Sequence, residues 1–158
     1  MIDFEKIGKR LEADMPRIKD KFDAVILQSL QSTLRRRIFN EGKATEGEEI
    51  GQYSTDYALL REQEGFQTSR VDLERSGELR RSVQVGKIGN EQVLGIKQTR
   101  YPDEGTTDEI AEFQEQNFGK EIFTLSDAEI EEAYKDAEAS IIKDIDELIN
   151  KALNEGTA

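Results

Sequence analysis

The chain has 158 residues, 35% of them charged and 35% hydrophobic, with a net charge of −12. That length suits one domain able to bury a core without staples, and the acidic balance argues against free nucleic acid as a partner, because phosphate binding needs a basic face. Cysteine and histidine are both absent, which excludes a disulfide framework, thiol chemistry, and the commonest general base and transition-metal ligand.

The charge is uneven. Residues 103–158 hold 17 Asp and Glu against 4 Lys, whereas residues 1–102 hold 17 acidic and 18 basic side chains. The acidic third reads either as a solvated helix face or as one half of a head-to-tail contact between copies. No N-terminal stretch joins basic residues to an apolar run, and no apolar segment approaches the roughly 18 residues that span a membrane. A cytoplasmic site of synthesis and use is expected.

The predicted fold class is α+β: a small antiparallel sheet around a hairpin, packed by a long N-terminal and a long C-terminal helix, in one domain over 1–158. Phe4, Ile7 and Leu11 predict a short helix from Asp3, its cap, to about Ala13. Pro16 suits the first turn of a second helix. Ile18, Phe22, Val25, Ile26, Leu30, Leu34 and Ile38 give that helix its stripe, and Gly42 suits its left-handed stop. Arg35, Arg36 and Arg37 sit in its last turn, where they complement the helix dipole or meet an acidic partner surface.

Residues 42–72 read as a long loop carrying Tyr53, Tyr57, Leu59, Leu60 and Phe66. A loop of that length is uncommon in a compact domain unless it works. A short helix over Ser54 to Glu64 would put Tyr57, Leu60 and Arg61 on one face. After a turn at Ser76-Gly77, Leu79, Arg81, Val83 and Val85 alternate as a strand. Gly89-Asn90 turns it into a hairpin over 79–97. A short helix is expected over 107–117, with Ile110, Phe113 and Gln114 inward, and an extended piece over Ile122–Leu125. Ser126 and Glu129 form a capping box. It opens a long helix over 127–153, about 40 Å long at 1.5 Å per residue, with the stripe Ile130, Tyr134, Ala137, Ile141, Ile145, Leu148 and Ala152. Such a helix packs along the sheet and the second helix or projects to a neighbour.

No catalytic, cofactor-binding or metal site emerges. The carboxylates Glu129, Glu131, Glu132, Asp136 and Glu138 lie off the apolar stripe, as solvated charges do. Serine has no activating base. Gly86 to Gly89 lacks the spacing of a phosphate loop. Arg75, Arg80 and Arg81 would suit an anion site, but read rather as exposed charges that flank a strand or pair with Glu74 and Glu78.

The segment Leu73-Glu-Arg75-Ser-Gly77-Glu-Leu79-Arg-Arg81-Ser-Val83 resembles the virion-morphogenesis proteins of tailed phages, the tail-completion, neck and tail-terminator proteins of which the Mu-like morphogenesis protein is one type. Gly47-x-x-Ile50-Gly51-x-Tyr53-Ser54 with Tyr57 and Arg61 is similar to that family's preceding loop. Ile110-Ala111-x-x-Gln114 with Phe118-Gly119 is similar to its element after the sheet, and Ile122-Phe123-x-Leu125-Ser126 to its entry into the last helix. The order agrees across about residues 47–130. The family's Arg-Pro-Phe is here Glu121-Ile122-Phe123.

The resemblance implies a non-enzymatic structural protein of a phage or prophage, with no cofactor, found in the virion after assembly in the host bacterial cytoplasm. It implies a homo-oligomeric ring, often of six copies, docked on tail-tube or neck proteins, with no membrane and no sequence-specific nucleic acid as partner. Contacts are expected in the 42–72 loop, the Leu73–Val83 turn-strand and Phe118–Leu125, at Tyr53, Tyr57, Leu73, Arg75, Gly77, Leu79, Arg81, Phe118 and Phe123. The alternative function is an acidic binding or inhibitor protein that covers a basic partner surface with its C-terminal helix.

Overall fold

A computed structural model describes residues 4–101 and 105–157. Asp3, expected as a cap, lies outside the described residues. The fold is α+β. In chain order it comprises α1 (Phe4–Arg35), a π-helical turn (Arg36–Asn40), α2 (Thr55–Gln63), α3 (Glu78–Ser82), β1 (Val83–Ile88), β2 (Glu91–Ile96), the short pair β3 (Arg100–Tyr101) and β4 (Gly105–Thr106), α4 (Thr107–Phe118) and α5 (Asp127–Thr157). No helix among the described residues is long and apolar enough to cross a membrane.

The chain divides into two compact units, Met1–Ser29 with Glu131–Ala158, and Leu30–Ile130. The first is helical. Its parts of α1 and α5 run antiparallel, since Lys6 donates to the Glu155 carbonyl, Lys21 meets Asp144 and the Phe22 ring meets that of Tyr134. Ile18, Ile141 and Leu148 form the core of the pair, flanked by Leu11, Phe22 and Ile145. The expected break before Pro16 is absent, because α1 runs through it. Proline removes one backbone hydrogen bond and crowds the preceding turn, at about 3 kcal/mol. The apolar stripe continues in phase on both sides of Pro16, and packing along it holds the helix together. Tyr134, expected in the buried stripe, is exposed; Ala133 takes the inward place.

The second unit is mixed. Its core gathers Leu34, Ile38, Phe39, Ala44, Ile50, Val71, Leu79, Val83, Ala111 and Ile122. Gly42 ends the helical run at φ 67°. A Cβ there would sit 2.5 Å from the Val71 carbonyl oxygen, so both the backbone angle and the close approach demand glycine. β1 and β2 pair antiparallel from Val83 opposite Ile96 to Ile88 opposite Glu91, around Gly89-Asn90.

The hairpin is shorter than the predicted 79–97. Residues 78–82 form the helical turn α3, and the strand starts at Val83. Leu79 and Val83 are both buried, and residues four apart share a face in a helix and in a strand alike. The intervening residue decides between them. A strand would turn Arg81 inward, whereas here Arg81 is exposed and Ser82 is buried, donating to the Leu79 carbonyl at 2.7 Å.

In α4, Thr107 and Ala111 face inward and Phe113, expected there, is 60% exposed. The segment Ile122–Leu125 is not a strand. It is fastened by the Glu115 carboxylate, which accepts from the Ile122 and Phe123 amides at 2.8 and 3.0 Å.

The Ser126–Glu129 capping box is present, with amide-to-side-chain bonds of 2.9 and 3.3 Å. Glu129 does a second job. Its other oxygen accepts from Arg37 at 2.7 Å, and both side chains are about nine-tenths buried. The same guanidinium donates to the carbonyls of Ile122, Thr124 and Lys43. Arg37 therefore leaves the exposed role expected for the arginine triplet and binds three backbone segments together. Arg37→Met would strand a buried carboxylate, and urea denaturation is expected to show a loss of about 3 to 5 kcal/mol. Ser126→Ala is expected to cost about 1 kcal/mol in the same assay.

Candidate functional site: an aromatic cleft over a buried arginine

A cleft of about 1040 Å³ opens on the mixed unit. Its walls come from α2 and the residues before it (Gln52, Tyr53, Ser54, Tyr57), from the turn Leu73–Gly77 with Leu79, and from α4 (Ile110, Phe113, Gln114, Asn117, Phe118). Arg61 and Phe66 complete the lining.

The local sequence explains the walls. Ser54 caps α2 through its side chain. Tyr57 and Arg61 are four apart on that helix and so stand on one face. Leu60 was expected beside them but is exposed on the outer side. Gly51 carries no side chain because the Phe118 ring lies where one would be: a Cβ on Gly51 would come within 2.7 Å of a ring carbon. Gly119, at φ 64°, ends α4 just after that ring.

Arg61 is the pivot. It is 1% exposed. Its guanidinium carbon lies 4.5 Å from the Tyr53 ring centroid, 5.1 Å from that of Phe66 and 5.9 Å from that of Tyr57. In the plane of the guanidinium, Nε donates to the Gln67 carbonyl at 3.2 Å, Nη1 to the Glu74 carbonyl at 3.0 Å and Nη2 to Asp72 at 3.0 Å. The ring faces and the in-plane acceptors satisfy different parts of one cation, so a buried charge is tolerated.

Asp72 is the matching anion. It also accepts from the Tyr53 hydroxyl at 2.8 Å, from the Glu74 amide at 3.1 Å and from the Gln67 side chain. These bonds bracket Leu73, which at φ 49° is the one non-glycine residue with positive φ among the described residues. That conformation costs on the order of 1 to 2 kcal/mol, and it persists where the surroundings over-determine it. It turns the chain at the cleft wall. Burial pushes the Tyr53 hydroxyl up to about 12.

Of the nine residues expected as contacts, Tyr53, Tyr57, Leu73, Arg75, Gly77, Leu79 and Phe118 line this one cleft. Arg81 does not; it pairs with Glu78 and donates to the Ser76 carbonyl at 3.1 Å. Phe123 packs against the core instead. Arg80 pairs with Glu74 at 3.1 Å and Arg75 with Glu64 at 3.0 Å. Sequence reasoning passed over Asp72. The available signal was an acid one residue before the turn, within reach of a helix bearing tyrosine and arginine four apart. Among the described residues no cluster of acidic side chains is arranged to hold a metal ion.

Comparison with protein-family models, with curated proteins and with solved structures returns no match to this chain.

The raised Tyr53 pKa fixes a sign. The unfolded chain releases this proton near pH 10, and the folded one near 12. Between those values the folded state holds more protons, so stability is full below about pH 10 and falls as pH rises towards 12. Spectrophotometric titration of wild type minus Tyr53→Phe is expected to show a phenolate component rising near pH 12. A component rising near 10 would mean that the hydroxyl is not buried as described.

Proposed function

We propose that this chain is a structural protein of the tail-completion or head-tail-joining type in a phage or prophage. It has no catalytic role. It assembles with itself into a ring, docks on tail-tube or neck proteins, and resides in the virion after assembly in the bacterial cytoplasm. The observation that carries the reading is the convergence on the cleft. The residues through which the chain resembles tailed-phage morphogenesis proteins are spread from Gly47 to Ser126, and seven of the nine expected contacts line one concave surface.

The chemistry of that surface supports docking rather than turnover. Its polar anchors are already engaged: Arg61 and Asp72 with each other, Glu74 with Arg80. What remains presented is aromatic and aliphatic area mixed with the amides of Gln52, Gln114 and Asn117 and the hydroxyls of Ser54 and Ser76, a composition that suits an interface of apolar and polar contacts. Phe113 stands at the edge, largely exposed, where a neighbour would cover it.

Light scattering on the purified chain over a wide concentration range, with micrographs of the heaviest fraction, tests the reading. The expected result is a closed ring for the wild type. Phe113→Glu is expected to lower the mass to that of the single chain while leaving the melting temperature within a few degrees, because an exposed position contributes little to the fold. A wild type that stays a single chain at every concentration, alone and with particles lacking the protein, would refute it.

A further inference from the structure

The two edges of the helical unit differ. Where α1 meets α5, one edge is closed by charge. Lys21 pairs with Asp144, Arg10 lies 4.0 Å from Glu155, and Arg17, Glu147 and Lys151 line a small groove beside them. The other edge is apolar. At about 100° per residue, Ile142, Ile149 and Leu153 fall within one narrow arc of α5. That arc lies roughly 120° round from the buried line Ala137–Ile141–Leu148, on the side away from Glu147 and Lys151. At the same step per residue, Met15 on α1 stands about 40° round from its line Leu11–Ile18–Phe22, away from Arg10, Arg17 and Lys21 and on the matching side.

These side chains are not buried. Ile142, Ile149, Leu153 and Met15 are between 42% and 56% exposed. A pair of helices covers one stripe on each member. α5 carries two, and the second spans about three turns. The charges bordering it are mostly acidic: Glu131, Glu132, Asp136, Glu138 and Asp146 on α5 and Glu12 on α1, against Lys135, Lys143 and Lys19.

We propose that this second stripe docks an amphipathic helix of another protein whose apolar face is bordered by lysine or arginine, completing a three-helix bundle. Apolar area supplies the attraction, and the acidic border selects the sign of the partner. A second copy of this chain would bring the same acidic border against this one, so like charges disfavour it. The stripe belongs to the helical unit, so the inference stands on its own and does not rest on the cleft.

The probe is a three-heptad helical peptide of leucine and lysine, labelled and titrated with the full chain by fluorescence anisotropy. Controls are the same peptide with glutamate for lysine and a scrambled leucine–lysine order of equal charge. The first peptide is expected to bind at least about tenfold more tightly than either control. The double change Ile142→Gln, Ile149→Gln is expected to weaken it by about tenfold or more, with an unchanged melting temperature, while Phe113→Glu leaves it unaltered. Independently of any variant, the isoleucine methyl signals of Ile142 and Ile149 in the wild type should move on titration. Equal binding of the scrambled peptide, unmoved methyl signals, or self-association lost in the double variant would each overturn the proposal; the last would make a second copy the occupant.

Discussion

The mixed unit depends on one buried cation. Arg61 has no water to solvate it, so its surroundings must supply everything that water would. Three aromatic faces, two backbone carbonyls and the Asp72 carboxylate do so. Satisfying one guanidinium in this way fixes the positions of α2, residues 66–67 and residues 72–74 relative to one another. A long connection that would otherwise wander becomes a wall. Leu73 is held in a left-handed conformation because its neighbours on both sides are committed to the same network.

Arg37 acts in the same manner elsewhere in the unit. Its guanidinium gathers Lys43, Ile122, Thr124 and Glu129. Glu129 in turn caps the start of α5. The hydrophobic core of this unit is modest and its sheet is small, so buried arginine networks do part of the work that a larger core does in other folds. Such networks specify geometry sharply, because each member has few satisfactory positions. A contact surface built on one is preformed, and a preformed surface loses less entropy on binding.

The fold class, both long helices, the hairpin turn and the Ser126 box were legible in the sequence, because each rests on local periodicity or local capping chemistry. Three features were not, and for distinct reasons. Leu79 and Val83 fit a helix and a strand equally well, since a spacing of four is common to both. Pro16 signals a break by local rules, but the stripe on either side of it stays in phase. Arg37 looks like a surface charge, because nothing local reveals that Glu129 will meet it, and Arg61 does so because its acid stands across an irregular segment on the far side of α2 in sequence. Part of the cleft was nonetheless within reach of the sequence: Tyr53, Tyr57, Leu73 and Phe118 stand in segments rich in loop signals and aromatics that carry no catalytic chemistry. Phe113 was missed as a lining residue, through a helix face turned further outward than its stripe suggested, and Asp72, the buried partner of Arg61, was missed through their ion pair.

Arg61 and Asp72 act as one unit in shaping the cleft. A double-mutant cycle measures that directly, using urea denaturation of the wild type, Arg61→Met, Asp72→Asn and the double variant. The predicted coupling is above about 1.5 kcal/mol, within the range seen for residues in one network. A coupling near zero, with the two single losses simply adding, would mean that the cleft does not depend on this pair.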